Sequence, residues 1–489
     1  MAKFNIRANR IFTPIREWAW IITLVVAFGG LWFPKLGYIV MGVMVGLTVT
    51  AFVKGRYWCG NICPHGSLYD KVLFPISRNV KIPKILKSKT VQIIFFSWFM
   101  YRFGSKLIKV FSLWGKTPFV DKLGYVFAMN YLMVVILGVP LAILISPRAW
   151  CSFCPMGTLQ KMSYKLGQWL GINKKTDVKV TAAATEMCHT CGKCSRVCPM
   201  QLDPYQEFDE ETNQVDNINC IRCATCVENC PAGILTIDKE EDARKIKAET
   251  DITGYEDRKK IIARIDKIKT LRDGIREFTF KFERPHKVDY KAGQFILVKI
   301  QDEPEMYRAY SISSYNEDSR TISVTIQKVE DGYGTEKIFE NFKVGDRVEL
   351  EGPMGHELLV DKDAKEVVLV GGGIGITPFV PIVRDLVEND NNIEKVTLIY
   401  GVNYQNEFLY DDHFKKFDYK SDKFDYVKVC AFDEEWEGEK GFVTDVMKKM
   451  ETLGESKIYM CGPKPMIDAS LQTFKELDVK EENTFYESA

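Results

Sequence analysis

Long apolar runs fill the first third of the chain, and short alternating ones fill its last half. Residues 18–33 and 37–53 are two apolar runs separated by Phe33-Pro34-Lys35-Leu36. Each falls slightly short of the roughly 20 residues that cross a bilayer as a helix, and together they predict a tight helical hairpin. A third run, 91–101, continues through Arg102, Lys106 and Lys109 to Trp114, and a surface helix is its alternative reading. The fourth, 125–145, predicts a clear span. After residue 260 the period changes. Phe278-Thr-Phe-Lys-Phe282 and Ile322-Ser-Val-Thr-Ile326 alternate as strands with one buried face do. With turns at Asp273-Gly274, Asp331-Gly332 and Gly352-Pro353, they predict an antiparallel barrel of about 100 residues. Glu366-Val-Val-Leu-Val370 and residues 396–400 and 457–460 read as buried strands of an α/β segment. The charged stretch 238–260 reads as a linker or an exposed helix.

Composition narrows what these segments do. With 489 residues there is room for three or four domains. The 66 basic residues balance 65 acidic ones, so nothing points to a nucleic-acid partner. Arg7, Arg10 and Arg16 precede the first run, and residues 54–89 make the loop after the second basic, which places both on the cytoplasmic face. No Asp or Glu lies within the four runs, so the acidic relay of an ion pump is absent from them. His65, His189, His286, His356 and His413 all lie outside the apolar runs, which closes the paired-histidine route to a membrane haem. Of fourteen cysteines, twelve lie between Cys59 and Cys230. Chain length and the lack of an A-x-A cleavage site after the first run disfavour a secreted disulfide framework, and metal ligation is the better account.

The two hairpins end alike. The first runs into Arg56-Tyr-Trp-Cys59-Gly-Asn-Ile-Cys63-Pro64-His-Gly66-Ser67-Leu68, the second into Arg148-Ala-Trp-Cys151-Ser-Phe-Cys154-Pro155-Met-Gly157-Thr158-Leu159. This is an internal repeat, with one residue fewer between the second pair of cysteines. Two cysteine pairs at equivalent hairpin ends could supply four thiolates to one site. Proline followed by Gly-Ser/Thr suits a turn into a helix whose amide-rich N-terminus stabilises an anionic cluster. A zinc knuckle is the other reading; the redox segments that follow favour an additional iron–sulfur cluster. Over residues 10–235 these repeats resemble the four-span, cysteine-motif membrane proteins that accompany periplasmic nitrate and nitrous oxide reductases. In that family three residues separate the second pair of cysteines, where this chain has two.

Cys188-x-x-Cys191-x-x-Cys194-x-x-x-Cys198-Pro199 is followed by Cys220-x-x-Cys223-x-x-Cys226-x-x-x-Cys230-Pro231, with a polar insertion, 200–219, between them. Three closely spaced thiolates face one cubane, and the fourth cysteine of each run, beyond a turn, reaches the other. The expected ligand sets are Cys188, Cys191, Cys194 and Cys230 for one [4Fe-4S] cluster, and Cys220, Cys223, Cys226 and Cys198 for the second. The segment resembles a bacterial two-cluster ferredoxin.

The strand ending at Val370 leads into Gly371-Gly372-Gly373-Ile374-Gly375-Ile376-Thr377-Pro378, a strand–turn–helix that brings backbone amides to a pyrophosphate. Together with Arg308-Ala-Tyr310-Ser311, Gly332-Tyr-Gly334-Thr335 and Cys461-Gly462-Pro463 with Met466, it makes residues 257–489 resemble the ferredoxin–NADP reductase superfamily. The resemblance implies that Arg308 holds a flavin phosphate, Tyr310 packs on the isoalloxazine, and Ser311 lies near its reactive nitrogen. It implies further that Gly334 and Thr335 receive the pyrophosphate of FAD, with FMN as the alternative flavin. Cys461 would sit by the nicotinamide, and Tyr486 is the aromatic that could cover the flavin. Asn403 stands where many relatives place an arginine.

The expected architecture is multidomain. An α-helical membrane domain spans 1–172, an α+β two-cluster ferredoxin domain 173–237, a linker 238–256, an antiparallel β-barrel flavin domain 257–360 and an α/β nicotinamide domain 361–489. Nicotinamides exchange hydride and clusters take single electrons, while flavins do both. The order of segments therefore predicts a membrane-bound oxidoreductase passing electrons from NADH to a membrane or extracytoplasmic acceptor. That acceptor would be a partner subunit, a flavin or a quinone. With the nicotinamide, flavin and ferredoxin domains in the cytoplasm, an even number of crossings of the cell membrane is expected. Two alternatives stand beside it: a membrane-anchored reductase of a soluble ferredoxin-type carrier, and an accessory donor for metalloenzyme maturation.

Overall fold

The computed structural model describes residues 4–488, which fall into two compact units: 4–188 with 192–251, and 189–191 with 252–488. The first unit is helical at its start. Helices Tyr38–Lys54, Lys89–Phe111, Phe119–Leu144 and Pro155–Trp169 surround a core that includes Val40, Phe99, Phe103, Phe127 and Tyr131. Pro34–Lys54 and Phe119–Leu144 are long and apolar enough to cross a membrane by length and composition. Lys89–Phe111 is 23 residues long but carries Arg102, Lys106 and Lys109. The run 18–33, expected to be one helix, is split into Pro14–Trp18, Trp20–Leu24 and a π-helical turn Val25–Gly29. Tertiary packing accompanies the break: a Cβ on Gly30 would lie 2.5 Å from Ala128 Cβ, and one on Gly37 would run into the Gly124 carbonyl. Small residues let these backbones touch, as they do where helices associate closely.

The N-terminal segment is tied to both hairpin ends through Asp70. Arg10, Arg16 and Arg148 all pair with this buried carboxylate, Arg148 at 2.6 Å. In the ferredoxin-like segment, β1 (Lys179–Ala182) and β2 (Leu235–Asp238) pair antiparallel over a small core containing Val180, Ala182, Ile234 and Leu235. The polar insertion 200–219 is folded onto this pair. Gln214 Nε2 donates to Thr181 Oγ1 at 3.2 Å and to the Asp238 carbonyl at 3.0 Å. Within the expected linker, Glu240–Glu249 is a ten-residue helix with Ala243 buried.

In the second unit the alternation read from the sequence forms a barrel. Its strands are β3 (Lys259–Arg272), β4 (Ile275–Arg284), β5 (Phe295–Gln301), β6 (Met306–Ser311), β7 (Thr321–Gln327) and β8 (Arg347–Met354). They are ordered β6-β5-β8-β3-β4-β7 and pair antiparallel, and a bridge between Ile312 and Val324 joins the two edges. Phe278, Phe280 and Phe282 of β4 turn inward and are buried, as period-two spacing requires. Then follow β9 (Glu366–Gly372), β10 (Lys395–Val402), β11 (Phe424–Cys430), β12 (Glu439–Lys440), β13 (Lys457–Gly462) and β14 (Thr484–Ser488). These form a parallel sheet in the order β12-β11-β10-β9-β13-β14. Strands are added to one side of β9 and then to the other, so the sheet has its topological switch between β9 and β13. Ligands bind at such a crevice.

Candidate functional site

In the second unit, Arg308, Tyr310 and Ser311 lie on β6 opposite Val298, Ile296 and Phe295 of β5. Strand alternation sends Arg308 and Tyr310 to one face and Ser311 to the other. Burial holds the Tyr310 hydroxyl above its ordinary range. The helix Tyr333–Asn341 begins beside them, so close that a Cβ on Gly334 would lie 2.7 Å from Arg308 Nε. A guanidinium and a helix N-terminus thus share one spot, where a phosphate gains both charge and amide donors. The Thr335 hydroxyl accepts from the Val329 amide at 3.1 Å and closes the preceding turn.

The glycine turn stands at the switch of the sheet. Gly371 and Cys461 are opposite one another on the parallel neighbours β9 and β13. Gly373 has φ +55°, a left-handed conformation that glycine adopts without strain. The glycine turn takes the form of a 3-10 turn, Gly373–Ile376, followed by Thr377, Pro378 and the helix Phe379–Glu388. A Cβ on Gly375 would run into the Cys461 carbonyl, and one on Gly372 would lie 3.2 Å from Pro463. The glycine turn and the Cys461-Gly462-Pro463 turn are therefore packed backbone to backbone at the carboxyl ends of adjacent strands.

Glu487 joins this site without a motif to announce it. It pairs with Cys461 across β13 and β14, and its Oε1 has no hydrogen-bond partner. Burial, reinforced by Glu357, pushes its carboxyl up to about 8. Burial and Glu487 likewise raise the Cys461 thiol. Tyr486 stands opposite Met460 and is 46% exposed. Alternation along β14 sends it to the face opposite Glu487.

In the first unit the cysteines form two neighbouring groups. A cavity of about 20 Å³ is bounded by Cys198, Cys220, Cys223 and Cys226, one of the two expected sets. Burial, with Cys223 and Cys220 adding, pushes the Cys198 thiol up to about 12. Cys194 is buried in the core under β1 and β2, and Cys188 and Cys230 pack against it; Cys191 falls in the other unit. Cys59, Cys63, Cys151 and Cys154 line a second cavity of about 90 Å³, walled by Leu47, Phe99 and Tyr131 as well as by Arg56 and Arg148. Gln160 Nε2 donates to Cys59 Sγ at 3.2 Å. Burial pushes Cys63 and Cys154 up to about 12, with the neighbouring thiols contributing. Among the described residues no three His, Cys, Asp or Glu side chains converge tightly enough to hold one metal ion; the four thiols stand round a volume instead.

These two groups adjoin. Cys59, Cys151, Ile221 and Cys223 share one buried apolar cluster. Asn61 Nδ2 donates to the Arg222 carbonyl at 3.1 Å. A Cβ on Gly60 would meet the Ile221 carbonyl and stand 3.3 Å from Cys223 Cβ.

Four family descriptions match the chain. An oxidoreductase FAD-binding domain matches residues 263–357, and an oxidoreductase NAD-binding domain matches 369–472. A 4Fe-4S dicluster domain matches 181–231, and a 4Fe-4S binding domain matches twice, at 36–83 and 128–173. The reductase component of phenol 2-monooxygenase from Pseudomonas sp. (strain CF600) is 28% identical over 311 residues, covering 61% of this chain and 83% of that protein. The reductase component of propane 2-monooxygenase from Mycolicibacterium smegmatis is 26% identical over 321 residues, covering 62% of this chain and 88% of that protein. A solved ferredoxin reductase in carbazole 1,9a-dioxygenase aligns with a TM-score of 0.42 and 26% identity, over 47% of this chain and 69% of its own.

Proposed function

We propose that this chain, an oxidoreductase with FAD- and NAD-binding domains homologous to reductase components of monooxygenases, delivers electrons from NADH to a membrane or extracytoplasmic acceptor through a cluster in its helical segment. The reading is carried by the close approach of Gly60 to Ile221, which sets the neighbour of Cys59 against a residue between Cys220 and Cys223. A relay needs its one-electron sites adjacent. When bound, a flavin exchanges hydride with a nicotinamide and single electrons with clusters.

Arg308, Gly334 and Thr335 would hold the phosphates of FAD, with Tyr310 and Ser311 against its ring. Gly371, Gly372, Gly373, Gly375 and Thr377, with Gly462 and Pro463, would hold the dinucleotide, and Cys461 would face the nicotinamide. Cys188, Cys191, Cys194 and Cys230 would ligate one cubane; Cys220, Cys223, Cys226 and Cys198 would ligate the next. Cys59, Cys63, Cys151 and Cys154 would ligate the third. Two observations favour that third cluster: the 4Fe-4S binding description matches once per hairpin, and Arg56 Nε and Trp150 Nε1 are buried donors without partners at the cavity wall. Purified anaerobically, the protein should hold one FAD and about twelve iron atoms, four per cubane. Eight iron atoms with one zinc would establish a knuckle and remove the last step of the relay.

Four crossings of the cell membrane belong to the same reading, with the other domains in the cytoplasm and boundaries at 172, 237, 256 and 360. Besides the two long apolar helices, Lys89–Phe111 exposes Ile93, Ile94, Trp98 and Ile108. Such a surface suits lipid better than water.

NADH is the expected donor. The loop after β10 reads Asn403-Tyr-Gln-Asn-Glu407 without a base, and the Gln405 amide donates to Asp433 at 3.2 Å, bringing an acidic loop onto it. Lys428 nearby is paired with Asp411 at 3.2 Å. Among the described residues a 2′-phosphate meets no free cation there, so kcat/KM should favour NADH over NADPH by about tenfold or more. Equal efficiency with the two would defeat this expectation.

The names of the relatives support a second reading, in which a soluble carrier is the acceptor and the helices are an anchor. Full turnover with such a carrier, indifferent to Cys59 and Cys151, would favour it.

A further inference from the structure

The two repeats exchange their arginines. Arg56 Nη2 donates to the Cys151 carbonyl at 3.0 Å, and Arg148 Nη1 donates to the Cys59 carbonyl at 3.1 Å. Each also approaches the thiol of its own repeat: Arg56 Nη2 lies 3.8 Å from Cys59 Sγ, and Arg148 Nη1 lies 3.6 Å from Cys151 Sγ. The glycine of each Cys-Pro-x-Gly turn makes room for the other repeat's guanidinium. A Cβ on Gly66 would lie 2.5 Å from Arg148 Nη1, and one on Gly157 would lie 3.0 Å from Arg56 Nη2. Arg-x-x-Cys and Cys-Pro-x-Gly are thus one motif, completed only when both hairpins are present.

The charges around the cavity do not balance. Arg10, Arg16 and Arg148 share the single carboxylate Asp70. Arg56, 1% exposed, reaches no carboxylate among the described residues; its partners are a carbonyl and a thiol, and its Nε has none. Four buried guanidinium groups therefore have one acid between them, and two of them, Arg56 and Arg148, line the cavity of the four thiols. An uncompensated buried cation is costly. A purely architectural ion knot would supply Arg56 with a carboxylate; here the missing negative charge belongs to whatever the thiols hold.

We propose that Arg56 and Arg148 form a cationic clamp that raises the reduction potential of the cluster held by Cys59, Cys63, Cys151 and Cys154. The proposal rests on the cluster assigned to those thiols above. A cubane with four thiolate ligands is anionic and gains a further negative charge on reduction. A guanidinium in contact with its ligands stabilises the reduced form more than the oxidised one, and a site screened from water preserves the difference. Arg56 is the cleaner probe, because Arg148 also holds Asp70.

The test is an anaerobic redox titration of the full-length protein, followed by electron paramagnetic resonance, with iron analysis, for wild type, Arg56→Gln and Arg56→Lys. In Arg56→Gln the ratio of reduced to oxidised cluster at a fixed potential should fall about tenfold, a downward shift of about 59 mV for one electron. Arg56→Lys keeps the charge and should titrate close to wild type. The two ferredoxin-like clusters should be unmoved in both. Cluster loss in Arg56→Gln, with a wild-type potential in Arg56→Lys, also supports a role for the charge. An unshifted Arg56→Gln with full iron overturns the clamp. So does an equal shift or equal cluster loss in both variants, since geometry rather than charge would then be what matters. A wild-type protein without a third signal is a different failure: it removes the cluster beneath the proposal, before any variant is compared.

Discussion

Serine in place of Cys59 or Cys151 should leave NADH-driven reduction of a small artificial acceptor near normal, while transfer to the proposed membrane acceptor falls by at least about 100-fold. The asymmetry follows from ownership of ligands. The barrel, the parallel sheet and the cavity of Cys198, Cys220, Cys223 and Cys226 share no cysteine with the helical cavity. Loss of one thiolate there leaves the upstream sites whole, and an exposed flavin still reduces a diffusing acceptor. Insertion into membranes and the iron content of the ferredoxin-like segment are the controls, because they separate a misfolded hairpin from an interrupted relay. Properly inserted variants that still reduce the membrane acceptor at the normal rate would convert the helices into an anchor.

Gly375→Val should produce the opposite pattern. Its Cβ would enter the Cys461 carbonyl, and backbone of the Cys461-Gly462 turn surrounds it, so no side-chain rotation relieves the clash. The two turns must separate, and the dinucleotide crevice at the switch between β9 and β13 opens with them. Displacement of a reacting group by about 1 Å costs on the order of 100-fold, so flavin reduction by NADH should slow by at least that much. Chemical reduction by dithionite should still reach every centre, because the face of β6 proposed to hold the flavin and the cysteine groups are untouched. A variant that keeps wild-type NADH kinetics would show that the glycine turn does not shape the nicotinamide site.

The cysteine runs and the β-barrel were legible because their signals are local. Phe278, Phe280 and Phe282 alternate within one strand, and the glycine turn follows its strand directly. What escaped sequence reading depends on partners far along the chain. The run 18–33 has the hydropathy of a single helix, yet Gly30 and Gly37 are seated on the helix that carries Gly124 and Ala128, and no window of sequence contains both sides. The polar insertion 200–219 is anchored by Gln214 on Thr181 and Asp238, partners that lie outside it in sequence. Glu487 enters the site through strand pairing with Cys461, a register that no motif encodes. Near-neutral net charge gave no hint that three arginines converge on Asp70.

The arginine exchange also imposes an order on manufacture. Cys59 and Cys151 leave the ribosome 92 residues apart, an interval of roughly 5–18 s at ordinary elongation rates. During that interval Arg56 lacks the carbonyl it will grip, and the first pair of thiols has only half a container. Asp70 has Arg10 and Arg16 from the start but waits for Arg148. For the cluster proposed at these thiols, the unfinished hairpin is therefore a poor receptacle, and loading would be a late event that certifies arrival of the second half. A nascent chain halted between residues 75 and 145 should carry no iron at Cys59 and Cys63, however much is supplied.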